Sequence, residues 1–131
     1  MLVLLCFFCP SSYAADGMVV ELVRVVDGDT FVVNIAGWPD VVGREIGVRL
    51  AGCDTPELRD KRPAIKIMAY QAKEALGLLL TQAKTVELRN IRRGKYFRLV
   101  ADVFADDTDV AAILIAAGLA QPYHGGRRPC W

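Results

Sequence analysis

The order of strand-like and helix-like segments is the feature that most constrains what this chain can fold into. Residues 18–26, 30–35 and 44–51 are rich in β-branched and apolar side chains, a composition typical of strands. Short turn-forming stretches, residues 27–29 and 37–40, separate them. Three strands joined by short turns predict an antiparallel β-meander at the start of the fold.

A long helix is predicted to follow this meander. The sheet should end at Pro56, because proline cannot donate a hydrogen bond to a ladder. Between residues 65 and 83, apolar side chains recur at helical spacing. They are Ile65, Ala69, Ala72, Leu76, Leu79 and Leu80. This spacing predicts one helix with a single buried face.

Two more strands are predicted after the helix. Residues 86–88 and 96–104 have the composition of strands, and residues 90–94 between them are typical of a turn. Five strands with a helix inserted between the third and the fourth predict an α+β, mainly β fold: a five-stranded OB-fold barrel. No internal repeat or linker divides the chain, so residues 15–131 are predicted to form one domain.

A second helix is predicted near the end of the chain. Asp107 or Thr108 can cap its first turn, since both side chains accept hydrogen bonds from free backbone N–H groups. The helix should run to about Ala117 and end at Gly118. The barrel is therefore expected to carry two or three helices.

The charges are segregated along the chain although the net charge is only +1. Residues 59–98 contain eleven basic and three acidic residues, a net charge of +8, and the rest of the chain has a net charge of −7. Such segregation favours a surface that binds a polyanion, with carboxylates elsewhere. A solvated helix face together with a charged hairpin is the alternative explanation.

Carboxylates at two separated places are candidates for holding a metal ion. Asp29 follows a turn and Asp54 follows the third predicted strand, positions from which a carboxylate can project. A hard cation prefers several oxygen ligands, and the backbone carbonyl of Thr55 is another candidate. Taken alone, the sequence around Asp29 is also typical of a structural turn.

Two arginines and one glutamate complete this set of candidates. Arg49 and Arg98 lie in otherwise apolar strands, and a guanidinium there must meet a carboxylate or line a polar pocket. Glu57 lies three residues after Asp54, where its carboxylate can accept a proton from a water molecule. Carboxylates that share a cation and two arginines that bind one phosphate predict hydrolysis of a phosphodiester.

The chain resembles the staphylococcal nuclease (thermonuclease) family from about residue 19 to residue 123. Four ordered motifs carry the resemblance. They are Val25-Val26-Asp27-Gly28-Asp29-Thr30, Val48-Arg49-Leu50-Ala51-Gly52-Cys53-Asp54-Thr55-Pro56-Glu57, Lys95-Tyr96-Phe97-Arg98, and Asp109-Val110 with Gly118-Leu119-Ala120. The resemblance implies an OB-type barrel and Ca²⁺-dependent cleavage of DNA and RNA that leaves 3′-phosphate ends.

The resemblance also implies roles for individual residues. Asp29 and Asp54 match the Ca²⁺ carboxylates, and Thr55 matches a carbonyl ligand. Glu57 matches the residue that activates or positions the attacking water, and Arg49 and Arg98 match the phosphate-binding arginines. Three further matches concern substrate binding. They are Lys95 and Tyr96, which would hold a neighbouring phosphate, and Tyr123, an aromatic that would pack on a base or sugar, with His124 as the alternative.

Two departures from the family's pattern are visible. Phe97 stands where the family usually has glycine, and it is expected to crowd the pocket or to change substrate preference. The tail carries two glycines and two arginines at residues 125–128, which are expected to add phosphate contacts. Neither departure removes a candidate catalytic group.

The first fourteen residues are predicted to be a secretory signal peptide. Residues 1–9 are almost continuously apolar, Pro10 breaks the run, and small residues at Ser12 and Ala14 suit a cut after Ala14. No Lys or Arg precedes the run, so an apolar core segment of a cytosolic protein is the alternative. We therefore expect a secreted or periplasmic protein, monomeric and without a membrane partner in its mature form.

The four cysteines divide into two pairs. Cys6 and Cys9 would leave with the signal peptide, whereas Cys53 and Cys130 would remain in the mature chain. A disulfide between the latter two and a pair of unconnected thiols are equally compatible with the sequence.

Two other functions compete with a nuclease. A non-catalytic nucleic-acid-binding barrel would use the same fold, but it would not need all five of the charged candidates. They are Asp29, Arg49, Asp54, Glu57 and Arg98. A small structural or partner-binding domain would leave the charge segregation unexplained.

Overall fold

The strands of the protein, seen in a computed structural model that describes residues 17–131, form a barrel. The strands are β1 (Met18–Val25), β2 (Thr30–Asn34), β3 (Ile46–Leu50), β4 (Cys53–Asp54), β5 (Val86–Arg93), β6 (Arg98–Ala105), β7 (Thr108–Asp109) and β8 (Gln121–Pro122). The helices are α1 (Asp40–Gly43), α2 (Pro63–Gln82) and α3 (Val110–Ala116).

Five of these strands close on themselves. They follow the order β3-β2-β1-β5-β6 with antiparallel neighbours, and a parallel pairing of β3 with β6 joins the two ends. The predicted five-stranded barrel with a helix between its third and fourth strands is therefore confirmed. The strand β7 extends the sheet beside β6, and β4 and β8 form a separate two-stranded ladder.

The core fills the barrel and the space beneath α2. Alternate residues of β3 point inward, so that Ile46, Val48 and Leu50 are buried while Gly47 and Arg49 face away from the core. The helix α2 contributes the face predicted from its spacing. Ala69, Ala72, Leu76 and Leu80 are buried there, and Ile65 and Leu79 are half-buried.

The hairpin between β5 and β6 differs from the prediction. The predicted turn at residues 90–94 is wrong, because β5 continues to Arg93. Asn90 has the left-handed φ of 52° that is typical of a turn, but the irregular pairing between Arg89 and Arg92 accommodates it as a bulge. The turn lies farther along, where Tyr96 and Phe97 have φ values of 56° and 55°.

The helix α3 begins later than predicted. Asp109 is its cap, since its carboxylate accepts a hydrogen bond from the backbone N of Ala112 at 3.3 Å. Asp107 lies in the turn before β7, with φ at 64°, so it cannot act as the cap. The predicted end is confirmed: the chain leaves the helix after Ala117, and Gly118 has a φ of 74°.

Four small elements were not predicted: α1, β4, β7 and β8. The pairing of β4 with β8 matters for the site, because it directs the end of the chain back across the loop that follows Asp54.

Cys53 is buried and Cys130 is exposed, and both are free thiols. The predicted signal peptide, with Cys6 and Cys9, lies outside the described residues. Among residues 17–131, no helix has the length and apolar character needed to cross a membrane.

Candidate functional site

A cavity of about 840 Å³ opens beside the barrel, where β3 and β6 meet the loop that follows β4. Seven of the nine residues predicted for the site line it. They are Asp29, Arg49, Thr55, Glu57, Lys95, Arg98 and Tyr123. Asp54 is completely buried and is hydrogen-bonded to Arg49. Tyr96 lies outside, fully exposed at the tip of the β5–β6 hairpin.

The parallel pairing of β3 with β6 places the two predicted arginines together. Its register sets Arg49 opposite Val100 and Gly47 opposite Arg98. Since side chains two residues apart in a strand share a face, Arg49 and Arg98 project from the same side of the barrel wall. Both guanidinium groups therefore face the cavity, although 48 residues separate them in the sequence.

Asp29 is held in place by the turn that precedes it and by its neighbours. Its backbone N donates to Asp27 Oδ1 at 3.0 Å. Its own Oδ1 accepts from the hydroxyl of Thr30 at 3.1 Å, and its Oδ2 accepts from the backbone N of Thr55, also at 3.1 Å. The carboxylate is thus oriented by two hydrogen bonds, one of them from a segment 26 residues away.

Burial raises the pKa of Asp29 to about 6, although the nearby Arg49 guanidinium acts in the opposite direction. The negative charge of Asp27 adds to the increase. The ionised form of Asp29 is therefore destabilised by burial more than it is stabilised by Arg49.

Gly28 allows the turn to lie against the helix α2. A Cβ at this position would come within 2.7 Å of the Cβ of Ala72 and within 2.8 Å of Thr55 Oγ1. These separations are shorter than van der Waals contact, so only glycine fits here without movement of the neighbours. The glycine thereby brings Asp29 and Thr55 into hydrogen-bonding distance.

Asp54 receives hydrogen bonds from two directions. Arg49 Nη2 donates to its Oδ1 at 3.0 Å, and the same nitrogen lies 3.5 Å from Asp29 Oδ2. Two residues near the end of the chain contact the same carboxylate: Arg128 Nη2 lies 2.9 Å from Oδ1, and Trp131 Nε1 donates to Oδ2 at 3.2 Å. We refer to Asp29, Arg49 and Asp54 as the cavity floor.

The end of the chain covers this floor, and sequence reasoning missed its contacts. Residues 123–131, the tail segment, carry Arg128, which also forms an ion pair with Glu57. Arg62 Nη1 donates to the backbone oxygen of Trp131 at 2.7 Å and holds the far end of the segment. Of the two arginines expected there to contact phosphate, Arg128 contacts the carboxylates of Asp54 and Glu57. The side chain of Arg127 makes no polar contact with any described residue.

Arg98 differs from the other arginines of the site. Its Nε is buried, yet no described residue accepts a hydrogen bond from it. Because a buried donor without a partner is costly, this atom is suited to an oxygen of a bound ligand. Tyr123 adds an aromatic wall, since its ring lies 5.9 Å from the guanidinium carbon of Arg49.

The donors of the floor fit a hard divalent cation. Within residues 17–131, no three His, Cys, Asp or Glu side chains lie close enough together to hold a metal ion. Asp29 and Asp54 contact Arg49, and Asp54 and Glu57 contact Arg128. The chemistry is nevertheless suitable: two carboxylates and the carbonyl of Thr55 are oxygen donors of the kind that Ca²⁺ prefers. Burial raises the pKa of Asp29, and a cation bound beside this carboxylate would favour its ionised form.

Comparison with known proteins identifies the family of this chain. The family model described as staphylococcal nuclease homologue matches residues 47–129. No curated protein matches the chain significantly. The match includes four of the candidate residues: Arg49, Asp54, Glu57 and Arg98. Asp29 lies before the matched residues, and the structure places its carboxylate 3.5 Å from Arg49 Nη2. Since the match covers more than half of the sequence, the chain belongs to the family of staphylococcal nuclease homologues.

Proposed function

We propose that this protein is a Ca²⁺-dependent nuclease that hydrolyses phosphodiester bonds of DNA or RNA. The observation that carries the proposal is that Arg49, Arg98 and Glu57 line one cavity, with the buried Nε of Arg98 left without a hydrogen-bond partner among the described residues. A phosphate there would accept a hydrogen bond from Arg98 and lie close to the carboxylates of the floor. Membership of a nuclease-type family supports the same chemistry.

The residues of the cavity would share the reaction as follows. Arg49 and Arg98 bind the non-bridging oxygens of the phosphate and stabilise the negative charge that develops on them. Asp29, Asp54 and the carbonyl of Thr55 would hold Ca²⁺, which when bound neutralises phosphate charge and polarises the phosphorus. Lys95 and Tyr96 would hold a neighbouring phosphate, and Tyr123 would pack against a base or sugar.

Glu57 would take the proton of the attacking water. As the water oxygen bonds to phosphorus in line with the leaving group, its proton passes to the Glu57 carboxylate. The bond between phosphorus and the 5′ oxygen breaks, and that oxygen takes a proton from solvent, which leaves a 3′-phosphate and a 5′-hydroxyl. Glu57 can act in this way only after Arg128 has left it, since the two now form an ion pair.

Digestion of single-stranded DNA tests the proposal. The full mature chain should cleave in Ca²⁺ and not with a chelator, and Glu57→Gln should lower kcat by roughly 10²- to 10⁴-fold. Glu74→Gln is the matched control, because Glu74 is exposed on α2 and lies outside the cavity. Equal rates for both variants would refute the role of Glu57.

A non-catalytic nucleic-acid-binding barrel is the second candidate. One observation favours it: the tail segment engages both Asp54 and Glu57, the groups that hydrolysis needs free. Binding of single-stranded DNA with no cleavage in any divalent metal would support this function instead.

We also propose that the protein is exported and acts as a secreted or periplasmic monomer. The apolar run of residues 1–9 and the small residues before Ala15 support this. Amino-terminal sequencing of protein recovered from the periplasm or the medium should begin at Ala15. Recovery of the chain from the cytosol with Met1 retained would contradict it.

A further inference from the structure

The tip of the β5–β6 hairpin presents two neighbouring aromatic side chains to solvent. Tyr96 is 90% exposed and Phe97 is 64% exposed. Phe97 does not line the cavity, so the crowding of the pocket expected from the sequence does not occur. A phenylalanine ring left in solvent beside a second exposed ring contributes little to the fold.

The backbone of this tip is unfavourable for the residues that occupy it. Both Tyr96 and Phe97 have a left-handed φ, which bulky side chains rarely adopt. Hairpin turns of this kind prefer Asn-Gly or Asp-Gly, because these residues adopt positive φ easily. Fold stability therefore favours glycine over phenylalanine at residue 97, and strain of this kind in an exposed turn points to a function.

The surroundings of the tip are cationic and continuous with the cavity. Arg93 and Lys95, on either side of Gly94, both line the cavity, and Arg92 is exposed on the same strand. Phe97 directly precedes Arg98, and consecutive Cα atoms lie about 3.8 Å apart. A ring at Phe97 and a phosphate at Arg98 can therefore contact the same or neighbouring nucleotides of one strand.

We propose that Phe97 is a stacking site for an unpaired base of single-stranded nucleic acid. The inference rests on the proposed function and specifies its substrate class. An exposed ring can stack on a base only if the face of that base is free. The bases of a duplex cover one another's faces, so the site discriminates in favour of single strands, while Lys95 and Arg93 attract the backbone of either form.

Binding measured without cleavage tests the stacking site. The probe is a fluorescein-labelled oligothymidine, compared with a labelled duplex, both titrated with the full mature chain in chelator. Phe97→Leu keeps an apolar side chain but removes the aromatic face, and it should weaken binding of the single strand about tenfold while leaving duplex binding unchanged. Tyr70→Leu is the matched control, because Tyr70 is 54% exposed on α2 and lies outside the cavity.

Three results would overturn the inference: no binding of the single strand by the unmodified chain, unchanged binding by Phe97→Leu, or equal losses for single strand and duplex. Phe97→Gly provides the control for folding, since it should unfold at the same or a higher urea concentration while binding the single strand as weakly as Phe97→Leu.

Failure of the inference is distinguishable from failure of the proposed function. Loss of single-strand preference in Phe97→Leu, with no cleavage by the unmodified chain in Ca²⁺, would support the stacking site and refute the nuclease. Cleavage in Ca²⁺ with unchanged binding by Phe97→Leu would do the reverse.

Discussion

The cavity floor and the tail segment that covers it are held in different ways. The floor is fixed by the barrel. Asp29 and Asp54 are buried, and Arg49 contacts both of them from β3, which is paired with β2 on one edge and with β6 on the other. The tail segment has no regular structure after β8 and contacts the floor through Arg128 and Trp131. The difference indicates that the floor is part of the barrel itself, whereas the tail segment is held to it only through a few side-chain contacts.

Removal of Arg49 from the floor should cause the largest loss in the free energy of unfolding. Arg49→Ala leaves the buried carboxylates of Asp29 and Asp54 without their partner in the barrel, so we expect a loss of about 3 kcal/mol in the free energy of unfolding. Urea denaturation measures this loss.

The matched control for Arg49 is an arginine paired on the surface. Arg24 pairs with Glu45 where both side chains are more than half exposed, so Arg24→Ala should cost less than about 1 kcal/mol. Equal losses in the two variants would show that the floor is not part of the stabilising core.

A methyl group at Gly28 should cause the next largest loss of stability. Gly28→Ala places a Cβ against Ala72 and Thr55, and the resulting overlap should cost about 1–3 kcal/mol. Gly77→Ala within α2 is the control, because a Cβ there meets nothing within 4 Å; it should stabilise the protein by up to about 1 kcal/mol. Thermal unfolding distinguishes the two, and a stable Gly28→Ala variant would refute the close packing of the turn on α2.

Loss of Arg128 should change stability least and metal binding most. Arg128→Ala removes contacts that are partly exposed, so the free energy of unfolding should change by no more than about 1 kcal/mol. Since Glu57 then loses its ion pair and Asp54 loses one of its two arginine partners, calorimetry should show tighter Ca²⁺ binding than in the unmodified chain.

Arg127→Ala provides the control for this measurement, because Arg127 is exposed and forms no ion pair within the part of the chain described here. It should bind Ca²⁺ as the unmodified chain does. Weaker Ca²⁺ binding by Arg128→Ala would show that Arg128 supports the floor instead of covering it.

Local patterns predicted those parts of the fold that depend on neighbours in the sequence. The spacing of apolar residues identified α2 and its buried face, and the alternation in β3 made Arg49 a candidate because it is charged among apolar residues. The prediction of a turn at residues 90–94 was wrong, because a residue with a left-handed φ such as Asn90 can also occur in a β-bulge. Only the pairing of β5 with β6 distinguishes a turn from a bulge.

The tail contacts could not be predicted from local patterns. Arg128 and Asp54 are 74 residues apart in the sequence, and nothing in residues 123–131 specifies a structure of their own. The short pairing of β4 with β8 brings them together. The role of Arg128 therefore depends on tertiary structure, whereas the candidate roles of Arg49 and Arg98 followed from their unusual sequence environment.

The parallel pairing of β3 with β6 has a consequence for refolding. It is a long-range pairing, and forming it requires the closure of a loop that contains α2 and β5, a step that is slow compared with forming a hairpin. Arg49 and Arg98 lie on different strands until this step. A chain that has formed only the β1–β3 meander therefore lacks the proposed phosphate site, and the recovery of phosphate binding during refolding would time the closure of the barrel.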